Sequence, residues 1–152
     1  MALLLGTAAV VGLKDNYLRT VLSYATANSH HEVVDLLLTQ KADVDSGDLG
    51  GRTPLLWALD YGHATVVALL LEGKVDVDSR DQRGRTPLWY AACNGHDPVV
   101  KLLLGRYPKM ILMVRNMREA RHRWLGLYVL KGGIRWGVTP LLESETSVNS
   151  RS

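Results

Sequence analysis

The chain writes one apolar block three times. Val33, Val34, Leu36, Leu37 and Leu38 recur as Val66, Val67, Leu69, Leu70 and Leu71, and again as Val99, Val100, Leu102, Leu103 and Leu104, each time at an offset of 33 residues. Within a block, positions such as Val66, Val67, Leu70 and Leu71 fall on one side of a 3.6-residue period, so each block predicts a short amphipathic helix. A second apolar stretch precedes it: Gly51, Thr53, Pro54, Leu55 and Ala58 return as Gly84, Thr86, Pro87, Leu88 and Ala91. Here Thr53 and Thr86 are placed as N-caps, and the proline after each stands at the first helical position, where its missing N–H costs nothing. Gly62-His63 and Gly95-His96 close this first helix, since glycine accepts the left-handed conformation that ends a helix. Polar fingers reading DVDS, at Asp43 to Ser46 and Asp76 to Ser79, separate the units. Neither helix exceeds about ten residues, too few to be stable alone, so neighbouring units must supply the missing burial.

A 33-residue period held over three copies predicts a stacked array of helix-turn-helix units. The copies run over 15–47, 48–80 and 81–107, with a partial one at 2–14. The first is degenerate, because Leu18 and Val21 occupy the places of Gly51 and Pro54, as expected of a terminal unit whose outer face meets water. Beyond Tyr107 the period fails: 33 residues after Gly84, Thr86 and Pro87 stand Met117, Glu119 and Ala120. The segment 108–135 reads as basic and amphipathic. One helix over 110–130 would put Met110, Val114, Met117, Trp124 and Tyr128 on one side and Arg115, Arg118, His122 and Arg123 on another. Residues 136–143, WGVTPLLE, repeat the start of a unit, and 144–152 read as a polar, disordered tail.

GRTPLLWA, GHATVVALLL and VDVDSRD, in this order and spacing, resemble the ankyrin repeat, whose pattern is a Gly-x-Thr-Pro-Leu start, a Gly-His turn, a Val-Val-x-Leu-Leu-Leu helix and a finger ending near Asp. The resemblance covers roughly residues 2–107. It implies an all-α, ankyrin-type solenoid of stacked helix-turn-helix repeats with β-hairpin-like fingers. One departure stands out: the family usually carries His after Thr-Pro-Leu, and Leu56 and Trp89 take that place, so the family's Thr to His hydrogen bond is unavailable.

Composition adds little to this and excludes much. Of 152 residues, 47% are hydrophobic and 22% charged, which suits a folded chain. The net charge of +3 is unevenly spread: residues 1–104 hold 9 Lys+Arg against 12 Asp+Glu, and the rest hold 9 against 3, so the basic excess belongs to the C-terminal part. That distribution argues against nucleic acid as a partner of the repeats. The single cysteine, Cys93, excludes an internal disulfide, and an intracellular setting, cytoplasmic or nuclear, fits best. The apolar opening MALLLGTAAVVG lacks the positive n-region of a signal peptide and matches the end of a repeat helix.

No residue set calls for catalysis. His30, His63 and His96 come one per repeat, about 10 Å apart along the stack, too far to share an ion bound at ~2.0 to 2.1 Å. They read as structural turn residues. Cys93 has no identifiable base, and the pairs Asp43/Asp45 and Asp76/Asp78 lack calcium-loop spacing. Phosphate loops, HExxH and GxSxG are missing as well. The expectation is a protein without enzymatic activity, cofactor, metal or small-molecule substrate.

What the family resemblance implies is a protein-protein interaction module, binding on the concave surface of fingers and first helices. Its usual contact positions fall here on Tyr17, Arg19 and Asn28, on Leu49, Gly50, Arg52, Asp60 and Tyr61, and on Arg80, Gln82, Arg83, Arg85, Cys93 and Asn94. The arginines imply a partner with an acidic or aromatic patch. Two alternatives stand beside it: an incomplete fragment of a longer array with no independent function, and membrane or partner docking through the basic helix 110–130.

Overall fold

The inner helices begin where the sequence provides a threonine hydroxyl to cap them. In the computed structural model, which describes residues 11–110, 127–130 and 133–136, Thr20, Thr53 and Thr86 accept from the backbone N–H groups of Ser23, Leu56 and Trp89 at 3.2, 3.4 and 3.3 Å. From these caps run the inner helices α1 (Val21–Ala27), α3 (Pro54–Tyr61) and α5 (Pro87–Cys93). Each is followed by an outer helix, α2 (His31–Thr39), α4 (Ala64–Glu72) or α6 (Asp97–Arg106). Inner helices stack on inner and outer on outer, α1 on α3 on α5 and α2 on α4 on α6. This is the all-α solenoid that the period predicts.

The core lies between the two rows. Val34, Leu37, Leu55, Leu59, Val66, Val67, Leu70, Val100 and Leu103 are all fully buried, so the repeated apolar block does face its neighbours. Burying one such side chain contributes about 1.5 to 3 kcal/mol. The missing histidine of the Thr-Pro-Leu start has different substitutes. Ser23 stands in that place in the first repeat and lies 3.1 Å from the Thr20 hydroxyl, whereas Leu56 is fully buried in the core.

The Gly-His turns join repeat to repeat. Gly62 (φ +74°) and Gly95 (φ +69°) take the left-handed conformation, and a Cβ on Gly62 would meet the His96 ring at 2.5 Å. The ring Nε2–H of His63 donates to the carbonyl of Ala27 at 3.1 Å, and that of His96 to the carbonyl of Asp60 at 3.0 Å. A carbonyl can only accept, so these bonds fix the tautomer. Leu18, Ser29, Lys41 and Lys74 also have positive φ, at 59°, 60°, 57° and 60°, without being glycines.

Fingers close by two main-chain bonds each: the N–H of Asp15, Asp48 and Asp81 donates to the carbonyl of Arg19, Arg52 and Arg85, and the carbonyl of the same aspartates accepts from the N–H of Leu18, Gly51 and Gly84. Neighbouring fingers are bonded too: Leu49 N–H donates to the Tyr17 carbonyl, and Gln82 N–H to the Gly50 carbonyl, both at 2.9 Å.

Beyond the repeats, β1 (Leu127–Leu130) pairs antiparallel with β2 (Gly133–Trp136), Leu130 opposite Gly133. This corrects the expected 110–130 helix at its C-terminal end. The stretch Leu127 to Leu130 includes Tyr128 and Val129, types that favour strands, and only Lys131 and Gly132 separate the partners, which is hairpin spacing. The remainder of that helix, residues 2–10 of the partial unit, the unit start after Trp136 and the tail 144–152 lie outside the described residues. Among the described residues no helix is long and apolar enough to cross a membrane.

Candidate functional site

In the first and third repeats three residues, nine positions from first to last, tie the finger to its inner helix. In the first repeat Asp15 accepts from the backbone of Tyr17 and Arg19, both at 2.8 Å, from Arg19 Nε at 3.0 Å and from the Tyr24 hydroxyl at 2.7 Å. The third repeat copies this. Asp81 accepts from the backbone of Arg83 and Arg85 at 2.9 and 2.8 Å, from Arg85 Nε at 2.6 Å and from the Tyr90 hydroxyl at 2.8 Å. Burial alone would raise the Asp81 carboxyl, but the Arg85 N–H, the Tyr90 hydroxyl and the Arg85 guanidinium outweigh it and hold it below the ordinary range. The same balance holds Asp15 at about 2. For Tyr90, burial comes first and Asp81 second, and together they push the phenol up to about 12.

Two of the positions at which the middle repeat departs from its neighbours change this arrangement. Trp57 stands where the others have Tyr24 and Tyr90, so there is no hydroxyl to offer. Asp60 stands where they have Ala27 and Cys93. Arg52 accordingly leaves its finger and pairs with Asp60 at 3.2 Å, while Asn94 of the next repeat donates to the other Asp60 oxygen at 3.0 Å. Among the described residues Asp48 keeps only the N–H groups of Gly50 and Arg52, on one oxygen, at 2.8 and 2.9 Å.

Aromatic rings line the same side. Arg19 lies over Tyr17 and Tyr24 at 4.8 and 4.6 Å, Arg52 over Trp57 and Tyr90 at 4.7 and 5.6 Å, and Arg85 over Trp89 and Tyr90 at 4.9 and 4.8 Å. Trp57, Arg52, Tyr90, Arg85 and Trp89 thus form a continuous alternation of rings and guanidinium groups across two repeats. Tyr61 stacks between Trp57 and His63, with ring centres 6.2 and 5.9 Å away.

The expected contact residues divide into two sets. Tyr17, Leu49 and Tyr61 are exposed at 61%, 53% and 54%, large values for apolar rings and chains. Asn28, Arg80, Gln82, Arg83, Cys93 and Asn94 are exposed as well. Arg19, Arg52, Asp60 and Arg85 are half-buried and held inside the molecule by the bonds above. Among the described residues Arg80 and Arg83 form no ion pair. Gln82 reaches the Leu49 carbonyl of the preceding finger, and Asn28 and Asn94 bond the carbonyls of Tyr24 and Tyr90 at 2.8 and 3.1 Å. Cys93 carries a thiol that burial raises, against a smaller lowering by Arg85.

Sequence reasoning passed over Asp15, Asp81, Tyr24, Trp57 and Tyr90. Their signal was present: Asp, Arg and an aromatic residue at offsets of four and nine in every copy.

Set beside known families, the chain matches the family model described as ankyrin repeats in three copies, over residues 1–81 and 22–114. No curated protein matches it.

Proposed function

We propose, from the premise that this chain belongs to the ankyrin repeat family, that its fingers and inner helices dock another folded protein. Repeats of this family are generally protein-interaction modules and typically non-catalytic. The observation that carries the reading is the row of bonded fingers: main-chain hydrogen bonds hold Tyr17 beside Leu49 and Gly50 beside Gln82, so exposed side chains stand in fixed order on an ordered backbone. Prearranged contact groups bind with less loss of conformational freedom. Tyr17, Leu49 and Tyr61 offer apolar area, and Arg80 and Arg83 offer charge that no acidic group in the described residues answers.

The third finger therefore meets an acidic patch of the partner. Arg85 contributes differently from Arg83, because its guanidinium is committed to Asp81 and positions the finger. Affinity capture with mass spectrometry identifies the partner. An Arg80→Glu, Arg83→Glu double variant then binds it at least tenfold more weakly with an unchanged thermal midpoint; unchanged affinity overturns the assignment.

A further inference from the structure

The middle repeat holds an incomplete copy of an arrangement its neighbours complete, and we propose that a partner's arginine completes it. This rests on the docking reading above. In the first and third repeats the finger carboxylate binds an arginine of its own repeat, at 2.9 Å for Arg19 on Asp15 and 2.6 Å for Arg85 on Asp81, and an aromatic ring lies under each guanidinium. In the middle repeat Arg52 still lies over Trp57 at 4.7 Å, but it pairs with Asp60, so what is missing is the arginine on the Asp48 carboxylate. The second Asp48 oxygen has no hydrogen-bond partner among the described residues. The buried Trp57 Nε1–H has none either, but a guanidinium, itself only a donor, does not answer it, so the group left to answer is Asp48.

Beside Asp48 lies an open hollow of about 240 Å³ lined by Tyr17, Arg19, Asp48, Leu49, Gly50 and Trp57. Its walls are rings and an aliphatic chain, with one unanswered negative charge, since Arg19 is neutralised by Asp15. Such walls select among occupants. A carboxylate meets repulsion from Asp48, and an aliphatic side chain leaves it unanswered. A guanidinium both stacks on an aromatic face and hydrogen-bonds a carboxylate. The partner therefore presents an arginine to the middle repeat and acidic groups to the third finger.

The capped pentapeptide Gly-Leu-Arg-Leu-Gly, and its twin with neutral citrulline for arginine, test this on the ¹⁵N-labelled full chain by nuclear magnetic resonance. The arginine peptide is expected to shift the Gly50 and Arg52 amide signals and the Trp57 indole signal saturably, and the citrulline twin to bind at least tenfold more weakly. Asp48→Asn keeps an acceptor for both amides and removes the charge, so it should also weaken the arginine peptide at least tenfold. Trp57→Tyr supplies the absent hydroxyl to Asp48 and should weaken it as well, with the thermal midpoint kept or raised; if that variant is unstable, Asp48→Asn decides alone. No saturable shift, equal binding of the two peptides, or full affinity in either folded variant overturns the proposal. The probe reads the hollow without the partner, so its failure leaves the docking reading standing. Failure of the Arg80/Arg83 test with the arginine peptide still bound overturns that reading alone.

Discussion

The Tyr90 hydroxyl donates to the carboxylate of Asp81 across 2.8 Å, joining the inner helix of the third repeat to the finger nine residues before it. Tyr90 is fully buried and Asp81 is 6% exposed, so water replaces this bond poorly. Tyr90→Phe should lower stability by about 1.5 kcal/mol, within the range for hydrogen bonds to charged groups. Tyr24 makes the same bond to Asp15 but is 43% exposed, and Tyr24→Phe should have clearly the smaller effect. Thermal melts followed by circular dichroism compare the two.

Acid weakens the same bonds. Asp15 and Asp81 both have folded pKa values below the ordinary 3.8, so their contribution is fully present above that value and is lost as pH falls through the folded one, toward about 2 for Asp15. The thermal midpoint should therefore fall between about pH 4 and 2, and Asp81→Asn should flatten that decline. For Tyr90 the sign is opposite. Its pKa is raised from 10.0 to about 12, so its contribution is present below pH 10 and lost as pH rises toward 12. Ultraviolet titration should show a tyrosine step near pH 12 that Tyr90→Phe removes.

Leu18 is held at φ +59°, at the repeat position where Gly51 and Gly84 have φ +74°. A left-handed non-glycine residue costs roughly 1 to 2 kcal/mol, part of which a glycine gives back through its freer unfolded chain. Leu18→Gly should stabilise the array by about 0.5 to 1 kcal/mol in urea unfolding. Gly84→Ala meets nothing within 4 Å and should cost about 1 kcal/mol from backbone strain alone. Gly62→Ala should cost more than Gly84→Ala, because the added Cβ strikes His96.

Asp60 couples two repeats through Arg52 and Asn94. A double-mutant cycle of Arg52→Ala with Asp60→Ala should give a coupling of about 0.5 to 1 kcal/mol, modest because both side chains are 27% exposed. Zero coupling would show that Arg52 is held by the Trp57 and Tyr90 rings instead.

The solenoid was legible because burial repeats with the sequence: Val66 to Leu71 predicts its own core face, and Thr53-Pro54 its own helix start. Gly62 and Gly95 likewise mark their turns. The finger contacts were harder to read. Asp81 and Tyr90 lie on different elements, and only folding shows that an offset of nine brings them together. The course of Arg52 depends on two substitutions at once, since Trp57 withdraws a hydroxyl while Asp60 adds a competing carboxylate. Arginine at a contact position therefore said nothing about whether its charge was without an ion pair among the described residues, as it is for Arg83, or committed, as it is for Arg85. The Leu127–Leu130 strand escaped a reading based on apolar spacing because strand preference and the short Lys131-Gly132 connection outweighed the helical period.

The histidine bonds give the stack a direction. His63 and His96 each reach back to a carbonyl at the C-terminal end of the preceding inner helix, Ala27 or Asp60, where a helix has no further N–H of its own to offer. Each repeat thus finishes the one before it. Trimming the array from its C-terminal side removes the histidine that closes the last inner helix left in place, whereas trimming from its N-terminal side removes no such closure from the helices that remain. Loss of order should spread more readily from the C-terminal end, and hydrogen exchange along the inner helices would show that gradient.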